Sequence, residues 1–158
     1  MSLSGKVALV TGGSRGIGAA IALRLAQLGA DVAITYSNAS APAEKVLADI
    51  KALGRKAIAI KANAASEADL NGLLAKVVKD FGHLDILVNN AGIFDAAPIS
   101  EITLERFDKT MAVNVRALFQ LIQQAAEILP KGGRIINIGS VLGERVGLAG
   151  MTAYSTSK

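Results

Sequence analysis

The 158-residue chain carries a formal net charge of +4 with its basic residues scattered, enough length for one domain with a core but no basic stripe for nucleic acid. It has no cysteine and one histidine, His83, which excludes a disulfide framework and thiolate chemistry and argues against a Ser-His-Asp triad or a multi-histidine metal site. No apolar run reaches membrane-span length and no long apolar secretory segment opens the chain, so a cytoplasmic protein with no membrane partner is expected.

Lys6 to Val10 is a continuous apolar run that predicts a first strand. The stretch Thr11-Gly12-Gly13-Ser14-Arg15-Gly16-Ile17-Gly18 follows, and Ile17 to Leu28 then predicts a helix. Ile17, Ile21, Leu25 and Leu28 form its expected apolar face, and Gly29 is its stop. A strand, tight turn and helix start gather unpartnered N–H groups and the positive end of a helix dipole at one point, which attracts phosphate. Gly12 is expected to turn the chain, Gly16 to let a pyrophosphate approach the backbone, and Gly18 to let helix and strand pack closely. The spacing G-x-x-x-G-x-G is not the common G-x-G-x-x-G fingerprint, so the stretch alone also reads as an ordinary glycine-rich connection.

Asp31 to Tyr36 predicts a second strand, and Pro42 to Leu53 a helix with Val46, Leu47, Ile50 and Leu53 inward. Lys56 to Ala62 predicts a third strand. Ser66, with Asp69 three residues on, caps a helix expected to bury Leu70, Leu73, Leu74, Val77, Val78 and Phe81 before Gly82. Leu84 to Asn89 predicts a fourth strand. Thr103 to Leu129 predicts one long helix with a stripe of Leu104, Phe107, Met111, Val115, Leu118, Ile122, Ala125 and Leu129. Arg134 to Gly139 predicts a fifth strand, Ser140 to Thr152 a glycine-rich loop, and Ala153 to Lys158 the start of another helix. This alternation implies right-handed crossovers in a doubly wound parallel α/β sheet with helices on both faces.

Several polar residues interrupt this pattern. Asn114 lies at or beside the apolar stripe, where a buried amide needs partners; taken alone it reads as a satisfied core asparagine. Asn89-Asn90-Ala91-Gly92 ends the fourth strand and Ser140 the fifth, the edge where open α/β sheets bind ligands. Each alone also reads as a loop cap. Tyr154 and Lys158 are four apart and share one helical face. An ammonium beside a phenol favours the phenolate, so such a pair can give and take a proton near neutral pH.

Together the loop Thr11 to Gly18, the Asn89-Asn90-Ala91-Gly92 motif, Asn114, Ser140 and Tyr154-x-x-x-Lys158 resemble the short-chain dehydrogenase/reductase family along the whole chain. Within it, the sequence is most like the 3-oxoacyl-[acyl-carrier-protein] reductase group of fatty acid biosynthesis. The resemblance implies one Rossmann-type NADP-binding domain over residues 1–158, with the catalytic residues inside it. Tyr154 is then the general acid for carbonyl reduction, and Ser140 holds the carbonyl. Lys158 tunes the phenol and holds the nicotinamide ribose, and Asn114 holds a water behind Lys158.

The implied cofactor is NADP(H). Gly12, Gly13, Ser14, Arg15, Gly16, Ile17 and Gly18 form its phosphate loop, with Asn90, Ala91 and Gly92 opposite. An NAD site usually carries an acid about 20 residues past the loop. Here the second strand ends in Tyr36 and Ser37 without one, and Arg15 can face a 2′-phosphate. Asn63, followed by Ala64, stands in the adenine pocket where family members commonly carry Asp.

The implied partners are a ketone or an acyl thioester, the latter on an acidic acyl carrier protein, and further copies of the chain in a dimer or tetramer. A relative that binds NADP(H) as a redox sensor without turnover is the alternative; such relatives typically lack the Tyr–Lys pair. The chain stops at Lys158, so the expectation is an incomplete fold, its C-terminal part missing, that alone is aggregation-prone and inactive.

Overall fold

The computed structural model describes residues 2–38 and 40–158. Five parallel strands form one sheet: β1 (Val7–Val10), β2 (Asp31–Tyr36), β3 (Ala57–Lys61), β4 (Ile86–Asn89) and β5 (Arg134–Asn137), in the order β3-β2-β1-β4-β5. Val7 faces Asp31 across β1–β2, Ala8 faces Ile86 across β1–β4, and Asn89 faces Asn137 across β4–β5. The order reverses at β1, between β2 and β4, so the crossovers diverge there and leave a crevice at the carboxyl ends of the strands.

Alternation along β1 divides the core. Val7 and Leu9 join Leu87, Leu74, Val77 and Leu121 on one face, while Ala8 and Val10 join Val32, Ile34, Val46 and Ile50 on the other. Both faces are apolar because helices cover both. The helices are α1 (Gly16–Gln27), α2 (Ser40–Ala52), α3 (Glu67–Leu70), α4 (Leu73–Phe81), α5 (Leu104–Met111), α6 (Ala117–Ile128) and α7 (Thr152–Thr156). Among the described residues no helix is long and apolar enough to cross a membrane.

Three expectations about the helices are corrected. In α1 the buried face is Gly18, Ala22 and Ala26, and Ile17 is exposed. Small residues win because they let the helix lie close to the sheet, and the larger side chains spread to its flanks. The helix after Ser66 breaks at Gly72, whose φ of 72° stops α3 and opens α4.

The long helix is likewise interrupted: Ala112–Arg116 forms a π-helical turn between α5 and α6. The extra residue moves the buried face to Thr110, Val113, Asn114, Ala117, Leu121 and Ala125, and Leu104 and Val115 are left exposed. β2 spans the expected Asp31–Tyr36, and the other four strands are one or two residues shorter than expected at one or both ends. β5, one of the two outer strands, is exposed along its length.

Asp85 pins the amino end of the sheet. Its carboxylate accepts from Lys6 Nζ at 2.8 Å and from the Val7 N–H at 2.9 Å, with His83 Nε2 at 3.1 Å. Burial pushes this carboxyl up, but the Lys6 and Val7 hydrogen bonds and the charges of Lys6 and His83 more than offset it, leaving the group below its ordinary range.

Candidate active site

The crevice at the strand ends is a cleft of about 390 Å³. Thr11, buried just past β1, builds its floor: its Oγ1 accepts from the N–H groups of Asn90 and Ala91, each at 3.0 Å. Asn90 answers with its amide, donating to the carbonyls of Thr11 at 2.9 Å and Gly12 at 3.2 Å. Thr35 holds the loop from the other side, accepting from the Gly12 N–H on its Oγ1 and from the Gly13 N–H on its carbonyl, both at 3.0 Å. The glycine loop is thus tied to β2 and β4 by side chains.

The glycines differ in what they do. Gly12 turns the chain at φ 63°. A Cβ on Gly18 would lie 2.4 Å from Gly12 O and 2.5 Å from Asn90 Nδ2, so only glycine lets α1 start this close to the clamp. A Cβ on Gly16, at φ 56°, would meet nothing within 4 Å and stands in open space at the helix start. Gly13 does not line the cleft; a Cβ there would sit 2.7 Å from Ile34 Cγ2, so it is a packing position. Arg15 is the N-cap of α1 without a side-chain cap bond, which leaves the first helical N–H groups facing the cleft without that partner.

Ser14, Arg15, Ile17, Tyr36, Ser37, Asn63, Ala64, Ala91 and Gly92 line the cleft with Gly12, Gly18 and Asn90. Thr11, Thr35, Ile93 and the helical side chains Val113, Leu118 and Leu121 line it too, although only a three-dimensional sheet edge brings them there. Asn63 is fixed by its neighbours: its Oδ1 accepts from the Ala65 N–H at 3.0 Å, and its N–H donates to Asp69 at 2.8 Å. That bond, with one from the Ser66 hydroxyl, holds the Asp69 carboxyl below its ordinary range.

Asn114, Tyr154 and Lys158 gather at the β4 and β5 end of the cleft. Asn114 sits inside the π turn and is buried. Its Nδ2 donates to Ile93 O at 3.0 Å and to Ser157 Oγ at 2.9 Å, and its Oδ1 accepts from the Ile93 N–H at 2.9 Å. The amide that broke the apolar pattern is fully satisfied.

Lys158 Nζ donates to Ile138 O at 3.0 Å and lies 5.7 Å from the centre of the Tyr154 ring. A Cβ on Gly92 would lie 3.3 Å from Asn114 Oδ1 and 3.7 Å from Lys158 Nζ, so the cleft and this cluster meet at Gly92. Ser140 does not end β5, which stops at Asn137; it is extended beyond the strand and caps the Val141–Gly143 turn, its Oγ accepting from the Leu142 N–H at 3.2 Å. The turn after it packs on Lys158, since a Cβ on Gly143 would lie 2.6 Å from the Lys158 carbonyl carbon. The Lys158 ammonium, with the Tyr154 ring beside it, therefore stands where Gly92 lines the cleft, and Ser140 leads into the turn that packs on Lys158. That arrangement can deliver a proton beside a bound dinucleotide.

A hydroxynaphthalene reductase from Aspergillus fumigatus is 43% identical over 158 residues, which are 100% of this chain and 58% of the relative. A short chain dehydrogenase from Burkholderia cenocepacia, crystallised in complex with NADP, superimposes with a TM-score of 0.98 at 54% identity, covering 100% of this chain and 64% of that one. A blue fluorescent protein from a metagenomic library, in complex with NADPH, gives 0.96 at 52% identity, covering 100% and 65%. The chain thus spans less than two thirds of the length of these relatives. The short chain dehydrogenase family model matches residues 6–158, and the chain belongs to that family.

Proposed function

We propose that the protein reduces a ketone to a secondary alcohol with NADPH. The observation that carries this reading is the approach of Asn114 and Lys158 to Gly92 on the cleft wall, with the Tyr154 ring centre 5.7 Å from the Lys158 ammonium. Residues 1–158 act as one NADP-binding domain that contains its own proton donor. The uncapped α1 N-terminus and the open space at Gly16 fit a pyrophosphate, and the exposed Arg15 fits a 2′-phosphate. Relatives holding NADP and NADPH support that choice.

When bound, NADPH supplies the hydride that the carbonyl carbon takes up. Tyr154 gives its phenolic proton to the carbonyl oxygen, and Ser140 donates a hydrogen bond to that oxygen as charge develops. Lys158 places a positive charge beside the phenol and would hold the ribose of the bound cofactor. Asn114 fixes the Ile93 backbone and, through Ser157, the turn that presents Tyr154 and Lys158. The reductase relative favours a cyclic or aromatic ketone over the 3-oxoacyl thioester that the sequence suggests. A protein carrier belongs to the thioester reading and is tested with it; assembly into a dimer or tetramer is the expectation from the family resemblance, and light scattering on the full-length protein tests it.

The test is NADPH oxidation by the full-length protein with a panel of aryl ketones, hydroxynaphthalenes and 3-oxoacyl thioesters. Tyr154→Phe should lower turnover by about 10²–10⁴-fold, the usual share of general acid catalysis, with NADPH binding kept. Lys158→Ala should damage both. Near-normal turnover by Tyr154→Phe would sink the proton-donor role, and NADPH binding without turnover of any carbonyl would favour the sensor alternative.

A further inference from the structure

Phe94 follows the Asn90-Ala91-Gly92 motif and is 61% exposed. Its ring meets that of Tyr154 edge to face, with centroids 4.9 Å apart and planes at 64°. A single exposed phenylalanine needs no explanation by itself. This one stands on a backbone fixed on both sides. Ile93 exchanges two hydrogen bonds with Asn114. Asp95 forms two with the Arg106 guanidinium of α5, one of them at 3.0 Å, and that guanidinium holds the Asp95 carboxyl below its ordinary range. Two residues on, the Ala97 N–H donates to Gly150 O at 3.0 Å, tying this segment to the loop after Ser140. A solvent-facing aromatic ring is thereby held still beside the proposed proton donor.

We propose that Phe94 is a specificity-determining residue, an aromatic wall that selects ketones bearing a flat ring next to the carbonyl over straight-chain ones. The inference rests on the reductase reading above. A carbonyl oxygen that takes the Tyr154 proton brings one of its two substituents alongside Phe94. A planar ring packs there by offset or edge-to-face contact, whereas a flexible chain must surrender rotamer freedom for a poorer fit. Tyr154 needs no help from Phe94 to keep its place, since α7 and its contacts with the Val141–Gly143 turn and α5 already hold it.

The test uses the full-length protein, an aryl alkyl ketone and a straight-chain ketone of equal carbon number. Phe94→Ala should lower kcat/KM for the aryl ketone by about tenfold, the size of one well-placed apolar contact, and change the straight-chain value by less than about threefold. Most of the aryl loss should fall in KM, NADPH affinity should stay unchanged, and Phe94→Tyr should restore selectivity. Binding of the aryl ketone to the NADP-loaded protein, followed by ligand-observed NMR, should weaken in parallel. An equal fall with both ketones would reduce Phe94 to a support for Tyr154 and overturn the proposal, as would no fall with either. An unmodified protein that turned over neither ketone would sink the reductase reading, and the binding measurement would still decide the role of Phe94.

Discussion

Asn114 and Ile93 exchange two hydrogen bonds, the asparagine amide serving both the N–H and the C=O of one residue at 2.9 and 3.0 Å. The pair joins the π turn of the long helix to the strand end that carries the cleft wall. Asn114→Leu should leave both Ile93 groups and the Ser157 hydroxyl without this partner. The expected loss is about 2–6 kcal/mol of stability, since each of the two Ile93 groups left unsatisfied costs about 1–3 kcal/mol. Turnover should fall with it. Asn114→Asp should also be destabilised, because an ionised carboxylate cannot donate to Ile93 O. Denaturant melts and NADPH-dependent turnover check both; an undiminished melt in Asn114→Leu would show the pair to be decorative.

Gly18 and Gly16 should fail in different ways. Gly18→Ala drives a Cβ into Gly12 O and Asn90 Nδ2, and overpacking of this kind costs about 1–3 kcal/mol. Gly16→Ala meets no atom but is held at φ 56°, a strain of about 1–2 kcal/mol for a residue with a Cβ. Its methyl group also fills the space proposed for pyrophosphate. Thermal melts should therefore rank Gly18→Ala as the more disruptive, while NADPH fluorescence titration should show a clear affinity loss in Gly16→Ala. Unchanged affinity in Gly16→Ala would remove that glycine from the phosphate site.

The cleft is lined by Arg15 and Ser37, with no acid between Tyr36 and Asn38. The unmodified protein should prefer NADPH in kcat/KM. Arg15→Ala should cost NADPH about 10–100-fold, the worth of a charge-assisted hydrogen bond, and leave NADH nearly untouched. Ser37→Asp should shift the preference toward NADH by repelling the 2′-phosphate. Steady-state kinetics with both cofactors decide this, and better use of NADH by the unmodified protein would reverse the assignment.

Asp85 makes stability depend on acid. Its folded carboxyl lies below the ordinary range, so its contribution is present above the unfolded value of about 3.9 and is lost as pH falls through the lower folded value. Asp85→Asn should cost about 1.5–3 kcal/mol at neutral pH, the range for hydrogen bonds to a charged group. The gap between variant and parent should begin to close below about pH 4. Melts across that range check the sign, and a gap that widened on acidification would contradict it.

Much of the molecule follows from local sequence. The apolar runs of β1 and β4, the glycine stops after α1 and α2, and the alternation of elements specify a parallel sheet with two covered faces, because burial period and turn chemistry act over a few residues. The residues resembling a family motif were legible too, as a pattern in order along the chain. The tertiary structure alone decided which face of each helix turned inward. Small side chains at Gly18, Ala22 and Ala26 won the sheet contact over Ile17 because close approach buries more surface than one large side chain. The π turn at Ala112–Arg116, which carries Asn114 into reach of Ile93 and Ser157, has no signal in a steady three-and-four spacing. Nor could spacing place Thr11 under Asn90 or Phe94 against Tyr154, since those contacts join residues far apart in the chain, and only the packed sheet edge makes them neighbours.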